Sequence, residues 1–157
     1  MTILKKIFRY PIKGLSGESL NKILLEKDQV LSGDREYAFA RSQVSFDEKN
    51  PVYLRKTNFL ALVKDEKLAK LSTEFNSKSK RIIIKVDKKS VLDEIIVNEI
   101  NINKVEVFFQ KYLNLGSNNK PKLVQGTKYE NGKNLNHSFS DLPEKSISII
   151  NLNTISD

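Results

Sequence analysis

The stretch YPIKGLSGESL, residues 10–20, decides how the chain is read. It follows an apolar start, ILKKIFR (3–9), whose loose alternation of apolar and basic residues reads as a strand. Pro11 has no backbone donor and suits a strand end or an edge. Two glycines and a serine then crowd around Lys13. Such a cluster is either an ordinary turn or a loop that brings a lysine to an anion. Gly14 and Gly17 would let backbone N–H groups approach that anion closely.

Outward from this loop the chain reads mainly as β-structure. NKILLEKDQVL (21–31) is open to either a helix or a buried strand. SGDR (32–35) is a second turn, and EYAFAR (36–41) alternates as a strand does. In FLALVKDEKLAKLSTEF (59–75), Leu60, Val63, Lys67 and Leu71 fit one helix face, while Phe59, Ala61 and Val63 also fit strand alternation. KRIIIKV (80–86) is a strand, and SVLDEIIVNEININ (90–103) is strand-like with a break near Asp93 and Glu94. Val105, Phe108, Phe109 and Tyr112 recur at helical spacing, which predicts a helix capped by Asn103 and ended near Gly116, its aromatic face on the sheet. KLVQG (122–126) is a short strand and TKYENGKNLNHSF (127–139) an exposed polar loop. The last stretch, SISIINLNTISD, reads as a strand and the first turn of a helix.

Composition bounds the function. The 157 residues fit one ordinary domain or a small domain with part of another, and 13 Phe and Tyr supply a core. No run reaches the ~18 apolar residues of a membrane span, and no secretory leader is present, so a soluble, cytoplasmic protein is expected. The absence of cysteine excludes disulfides and thiolate chemistry within these residues. The net charge of +8 comes from 22 Lys and only 5 Arg spread along the chain. Arginine is the favoured reader of nucleic acid, so nucleic-acid binding is not expected and an anionic small molecule fits better. An apolar strand and an unfinished helix at the end suggest that a second unit is cut short, so association or disorder is expected after about residue 126.

Four of these segments, in order, resemble the MOSC family, named for the C-terminal domain of molybdenum cofactor sulfurases. They are YPIKGLSGESL, LSGDREYAFA, VYLRKTNFLALV and HSFSDLPEKSISIINLNTISD. The resemblance implies a β-barrel-like N-terminal domain over residues 1–125 with a packing helix, and the incomplete beginning of a MOSC domain over 126–157. It further implies a pterin molybdenum cofactor (molybdopterin), and an intact protein that reduces N-hydroxylated compounds or transfers sulfur, with an electron-transfer partner. By the same resemblance Lys13, Gly14 and Arg35 match cofactor-contacting positions, Arg55 lies in a third motif, and Asp141 of FSD holds a loop of the site. The family serine after the lysine is Gly14 here, and the family's metal-ligating cysteine is missing, so this piece alone is expected to be inactive.

The residues argue partly for the same site. A phosphate needs convergent cations in a cleft, since one exposed lysine at 4 Å contributes only ~1 kcal/mol per charge pair in water. An arginine adds a two-pronged clamp. Yet Lys13 closes the first strand and Arg35 opens the third. Across a flat meander, seven strand residues would part them by ~23 Å. Convergence therefore requires a closed, tilted barrel or a crossing connection. The plainer reading has Asp34 bonding back to the backbone and Arg35 pairing with Asp34 or Glu36. His137 is expected in an exposed loop, and the pairs Asp47/Glu48 and Asp93/Glu94 in loops, without acid–base chemistry. No catalytic or metal-binding residue is identified. The alternative function is a non-catalytic β-barrel module that binds an anionic ligand or a protein partner.

Overall fold

Nine strands and one α-helix make up the computed structural model, which describes residues 3–130, 132–144 and 146–150. In chain order they are β1 (Ile7–Arg9), β2 (Glu18–Leu20), β3 (Tyr37–Ala40), β4 (Leu71–Asn76), β5 (Arg81–Val86), β6 (Lys89–Ile95), α1 (Glu99–Tyr112), β7 (Lys122–Gln125), β8 (Thr127–Glu130) and β9 (Lys133–Asn136). The fold is mainly β, and its helix packs on the sheets, as expected. The strands fall into four antiparallel sheets: β1–β2, β3–β7, the meander β4–β5–β6, and β8–β9.

β3 is the axis of the interior. All four of its residues are buried, because both faces are covered. Tyr37 and Phe39 point into the main core with Ile12, Leu60, Ile82, Ile84 and Phe109, and the Phe39 and Phe109 rings lie 4.4 Å apart. Ala38 and Ala40 point the other way, into a smaller cluster with Phe59, Val124 and Phe139. Large residues on one face and alanines on the other let both clusters close on a single strand. Burying each aromatic ring stabilises the fold by about 1.5–3 kcal/mol.

The meander is one-faced. Ile82 and Ile84 of β5 are fully buried, while Ile83 and Lys85 look away from the core. Asp87 and Lys88 both take positive φ, 47° and 67°, so the β5–β6 turn has the left-handed pair that matches strand twist. On the helix, Asn98 accepts from the Asn101 N–H at 2.9 Å. At the other end Asn114 sits at φ 56°, and the N–H groups of Asn114 and Leu115 reach back to Lys111 and Gln110. That double reach closes the helix as a Schellman motif, with asparagine in the usual glycine place.

Several expectations change. Residues 21–31 form neither helix nor strand, and Leu24 and Leu25 face solvent. The 59–75 segment is neither one helix nor one strand. Phe59, Leu60 and Ala61 are buried in succession, a turn and a 3-10 helix (Glu66–Lys70) follow, and only then does β4 begin. The carboxylate of Asp65 takes the Ala61 N–H at 2.9 Å and the Arg41 guanidinium at 2.7 Å, so the side chain competes with helical backbone bonding. No break occurs at Asp93 and Glu94, which lie in β6 rather than a loop, held by Arg81 and Lys104. The helix is capped by Asn98, five residues before the expected Asn103, and Asn114 rather than Gly116 ends it. The expected loop at 127–139 contains the β8–β9 hairpin. Ser146–Ile150 is not a strand but is exposed and irregular, and the expected helix turn falls on 151–157, outside the described residues.

Candidate functional site

The loop that joins β1 to its sheet partner β2 makes a detour on the way. Residues 10–13 run parallel to 35–37. Arg35 N donates to the Tyr10 carbonyl at 2.6 Å, Tyr37 N to Pro11 at 3.1 Å, and Lys13 N to Tyr37 at 2.8 Å. Ile12 and Tyr37 are bridged in parallel. This is the crossing connection that convergence requires. β2 does not lie between Lys13 and Arg35, so the ~23 Å separation of a flat meander never arises.

A second segment completes the site. Phe139 is buried against Phe46 and Phe59, with ring centroids 5.1 and 5.2 Å away. Its N–H donates to the Arg35 carbonyl at 2.9 Å, and Ser138 Oγ donates to the Asp34 carbonyl at 3.0 Å. Residues 138–141 thus form a strap across the Lys13 loop. These contacts tie residues 138–141 to the rest of the fold.

Lys13 Nζ lies under this strap, only 4% exposed. It donates to the Phe139 carbonyl at 2.9 Å and to Asp141 Oδ1 at 2.5 Å. Arg35 NH2 approaches the other oxygen of Asp141 to 3.9 Å, while its NH1 donates to Asp34 Oδ2 at 3.1 Å. The two cations, distant in sequence, therefore meet on one carboxylate. Asp34 does bond to backbone, but across the crossing to Tyr10 N at 2.8 Å rather than within its own turn. Tyr53 Oη donates to the Asp141 carbonyl at 3.1 Å.

Electrostatics follow the geometry. Burial pushes the Lys13 ammonium below its ordinary pKa, and Arg35 and Lys56 add to that, while Asp141 opposes it. Partial burial alone would raise the Asp141 carboxyl, but the Lys13 hydrogen bond and the charges of Lys13, Arg35 and Lys56 hold it below the usual carboxylate value. Lys56 is thus a third cation at the site. Its neighbour Arg55 is exposed and makes no side-chain hydrogen bond or ion pair among the described residues.

Gly14 has a backbone reason to be glycine. Its φ is +78°, and a Cβ there would meet the Leu60 carbonyl oxygen at 2.6 Å. His137 is not in an open loop. It is half-buried beside Phe46 and Phe139, and desolvation lowers its pKa. No group of three or more His, Asp or Glu among the described residues is placed to hold a metal ion. A cleft of about 800 Å³ lies elsewhere, beside Tyr37, Lys80, Ile102 and Leu123, and none of the groups around Asp141 lines it. Lys80 and Gln125 of its lining are engaged with the buried Glu36 carboxylate.

Sequence reasoning singled out Lys13, Arg35 and Asp141 but missed Lys56 and Tyr53. Lys56 is one of 22 lysines, and nothing local to it marks the site. No family model, curated protein or solved structure matches the chain.

Proposed function

We propose that the chain is the N-terminal part of a MOSC-like protein, in which Lys13 and Arg35 hold the phosphate end of a pterin molybdenum cofactor. The observation that carries this reading is the meeting of those two cations on one carboxylate-sized seat, with Lys56 near enough to act on it. The residues suit the anionic end of such a cofactor: Arg35 is partly exposed, and only its NH1 is firmly hydrogen-bonded, to Asp34. They do not suit the metal, for the chain has no cysteine. When bound, the cofactor would supply two-electron or sulfur-transfer chemistry at its metal. This chain's part is to bind and orient the anionic tail, and the intact protein would be a cytoplasmic reductase of N-hydroxylated compounds, with an electron donor, or a sulfur-transfer protein. In this reading β1 to β7 belong to the barrel-like unit, and β8, β9 and the strap to the first segment of the MOSC unit.

The test uses the full chain and the fluorescence anisotropy of a phosphorylated pterin and its dephosphorylated counterpart. The phosphorylated pterin is expected to bind at least tenfold more tightly, and Arg35→Gln to remove about tenfold, since a charge-assisted hydrogen bond contributes about 1.5–3 kcal/mol. Equal affinity for the two pterins would sink the phosphate role.

A second reading has its own observation. Lys13 is buried and its donors are taken by the chain itself, as suits an internal pin of a β-module without catalysis. Pterin binding that survives Arg35→Gln unchanged favours that reading.

A further inference from the structure

We propose that the Lys13–Arg35 seat takes a tetrahedral oxyanion, a phosphate or phosphate monoester, by exchange with the Asp141 carboxylate, which holds the seat as an intrachain stand-in. This rests on the reading that the cations form an anion seat, and adds how that seat is guarded.

The two partners are unequally committed. Lys13 is buried and cannot leave without unmaking the crossing loop. A buried ammonium needs an anion beside it. The Asp141 side chain is 55% exposed and can return to water at little cost. The strap's anchors lie upstream of it: the Phe139 ring, the Phe139 N–H and the Ser138 hydroxyl. Further along, among the described residues, the backbone is held by the Tyr53 hydroxyl on the Asp141 carbonyl and by a long 3.5 Å contact from Lys13 Nζ to the Ser140 carbonyl. Rotation about residues 140 and 141 therefore frees the seat while the core stays closed.

Charge favours the exchange. Lys13, Arg35 and Lys56 face the carboxylates of Asp34 and Asp141, which leaves one positive charge over. Replacing the monoanionic Asp141 by a phosphate dianion removes that surplus, and a phosphate monoester offers three terminal oxygens and inorganic phosphate four, against a carboxylate's two. A guarded seat binds more weakly by the fraction of time it is open, so a seat closed nine-tenths of the time would lose about tenfold in affinity.

Calorimetric titration of the full chain with inorganic phosphate tests this. Asp141→Asn is expected to bind about tenfold more tightly than the unaltered chain. Asp141→Glu keeps a carboxylate and should stay within about twofold of it. Asp93→Asn removes the same charge on β6, where Asp93 pairs with Arg81 outside the seat, and should also stay within that range. Tyr53→Phe leaves every charge in place and loosens the strap's end, so a gain of about two- to threefold is expected even if Asp141→Asn does not fold. An equal gain from Asp93→Asn would mean net charge alone and would overturn the exchange. Equal affinity of the unaltered chain, Asp141→Asn and Tyr53→Phe would overturn the guard but leave the anion seat standing. No phosphate binding by any folded variant would overturn the seat itself, and the pterin reading with it.

Discussion

A methyl group at position 14 has nowhere to go. Gly14 is in the left-handed region, and the Leu60 carbonyl that its Cβ would strike is backbone, which cannot rotate away. Gly14→Ala is therefore expected to destabilise the chain by about 2 kcal/mol or more, read as a lower urea midpoint with unchanged slope. At Asp141 the sign of the pH effect can be worked out. Its folded pKa lies below the ordinary value of 3.8, so the unfolded chain holds the proton more tightly. The stability it contributes is complete above that value and is lost as pH falls through the folded pKa. Lys13 also has a lowered pKa, so its contribution grows as pH rises from the folded value towards 10.5. Urea midpoints measured between pH 7 and pH 2.5 should fall less steeply for Asp141→Asn than for the unaltered chain, and an identical acid limb would remove Asp141 from that account. Lys13, Arg35 and Asp141 were singled out by the family resemblance rather than by their local motifs, and the structure brings the three side chains together. What joins them was not legible, since the bridge between Ile12 and Tyr37 spans 24 intervening residues and leaves no periodicity behind.

Among the elements, the sequence spoke most clearly where one physical signal dominated. Three successive isoleucines made β5, and the aromatic spacing of Val105, Phe109 and Tyr112 made the body of α1. The start of α1 was misplaced because EININ alternates like a strand and two asparagines compete to cap it. The structure settles on Asn98, whose side chain takes the Asn101 N–H, while the Asn103 side chain accepts from Lys120 instead. Asn98→Ala should cost about 1 kcal/mol in urea denaturation, with a smaller effect from Asn103→Ala. At the other end, Asn114 holds a conformation that glycine adopts freely, so Asn114→Gly should be neutral or stabilise by a few tenths of a kcal/mol. Loss of stability there would mean that the Asn114 side chain matters more than its backbone angle. The 59–75 segment resisted reading for a different reason: its geometry is set by Asp65 reaching Arg41, a long-range ion pair that no local pattern encodes.

For the whole molecule, the decisive piece is Phe139, which belongs to a core cluster and carries the strap that covers Lys13. No sequence pattern announces that double duty, since Phe139 lies beyond the last strand in a polar stretch. It yields a prediction that separates the strap from core packing in general. Phe139→Leu and Phe109→Leu each shrink a fully enclosed ring and should each cost about 1–2 kcal/mol, leaving the chain folded. Only Phe139→Leu loosens the strap, so only it should speed acylation of the Lys13 amine by a water-soluble activated ester, read residue by residue by mass spectrometry. Exposed lysines such as Lys22 serve as the internal standard. Labelling that rises equally in both variants would trace Lys13 exposure to global opening, and the strap would then be no separate cover. A rise confined to Phe139→Leu would show that the second cluster, small as it is, sets the access of solvent and anions to the buried ammonium.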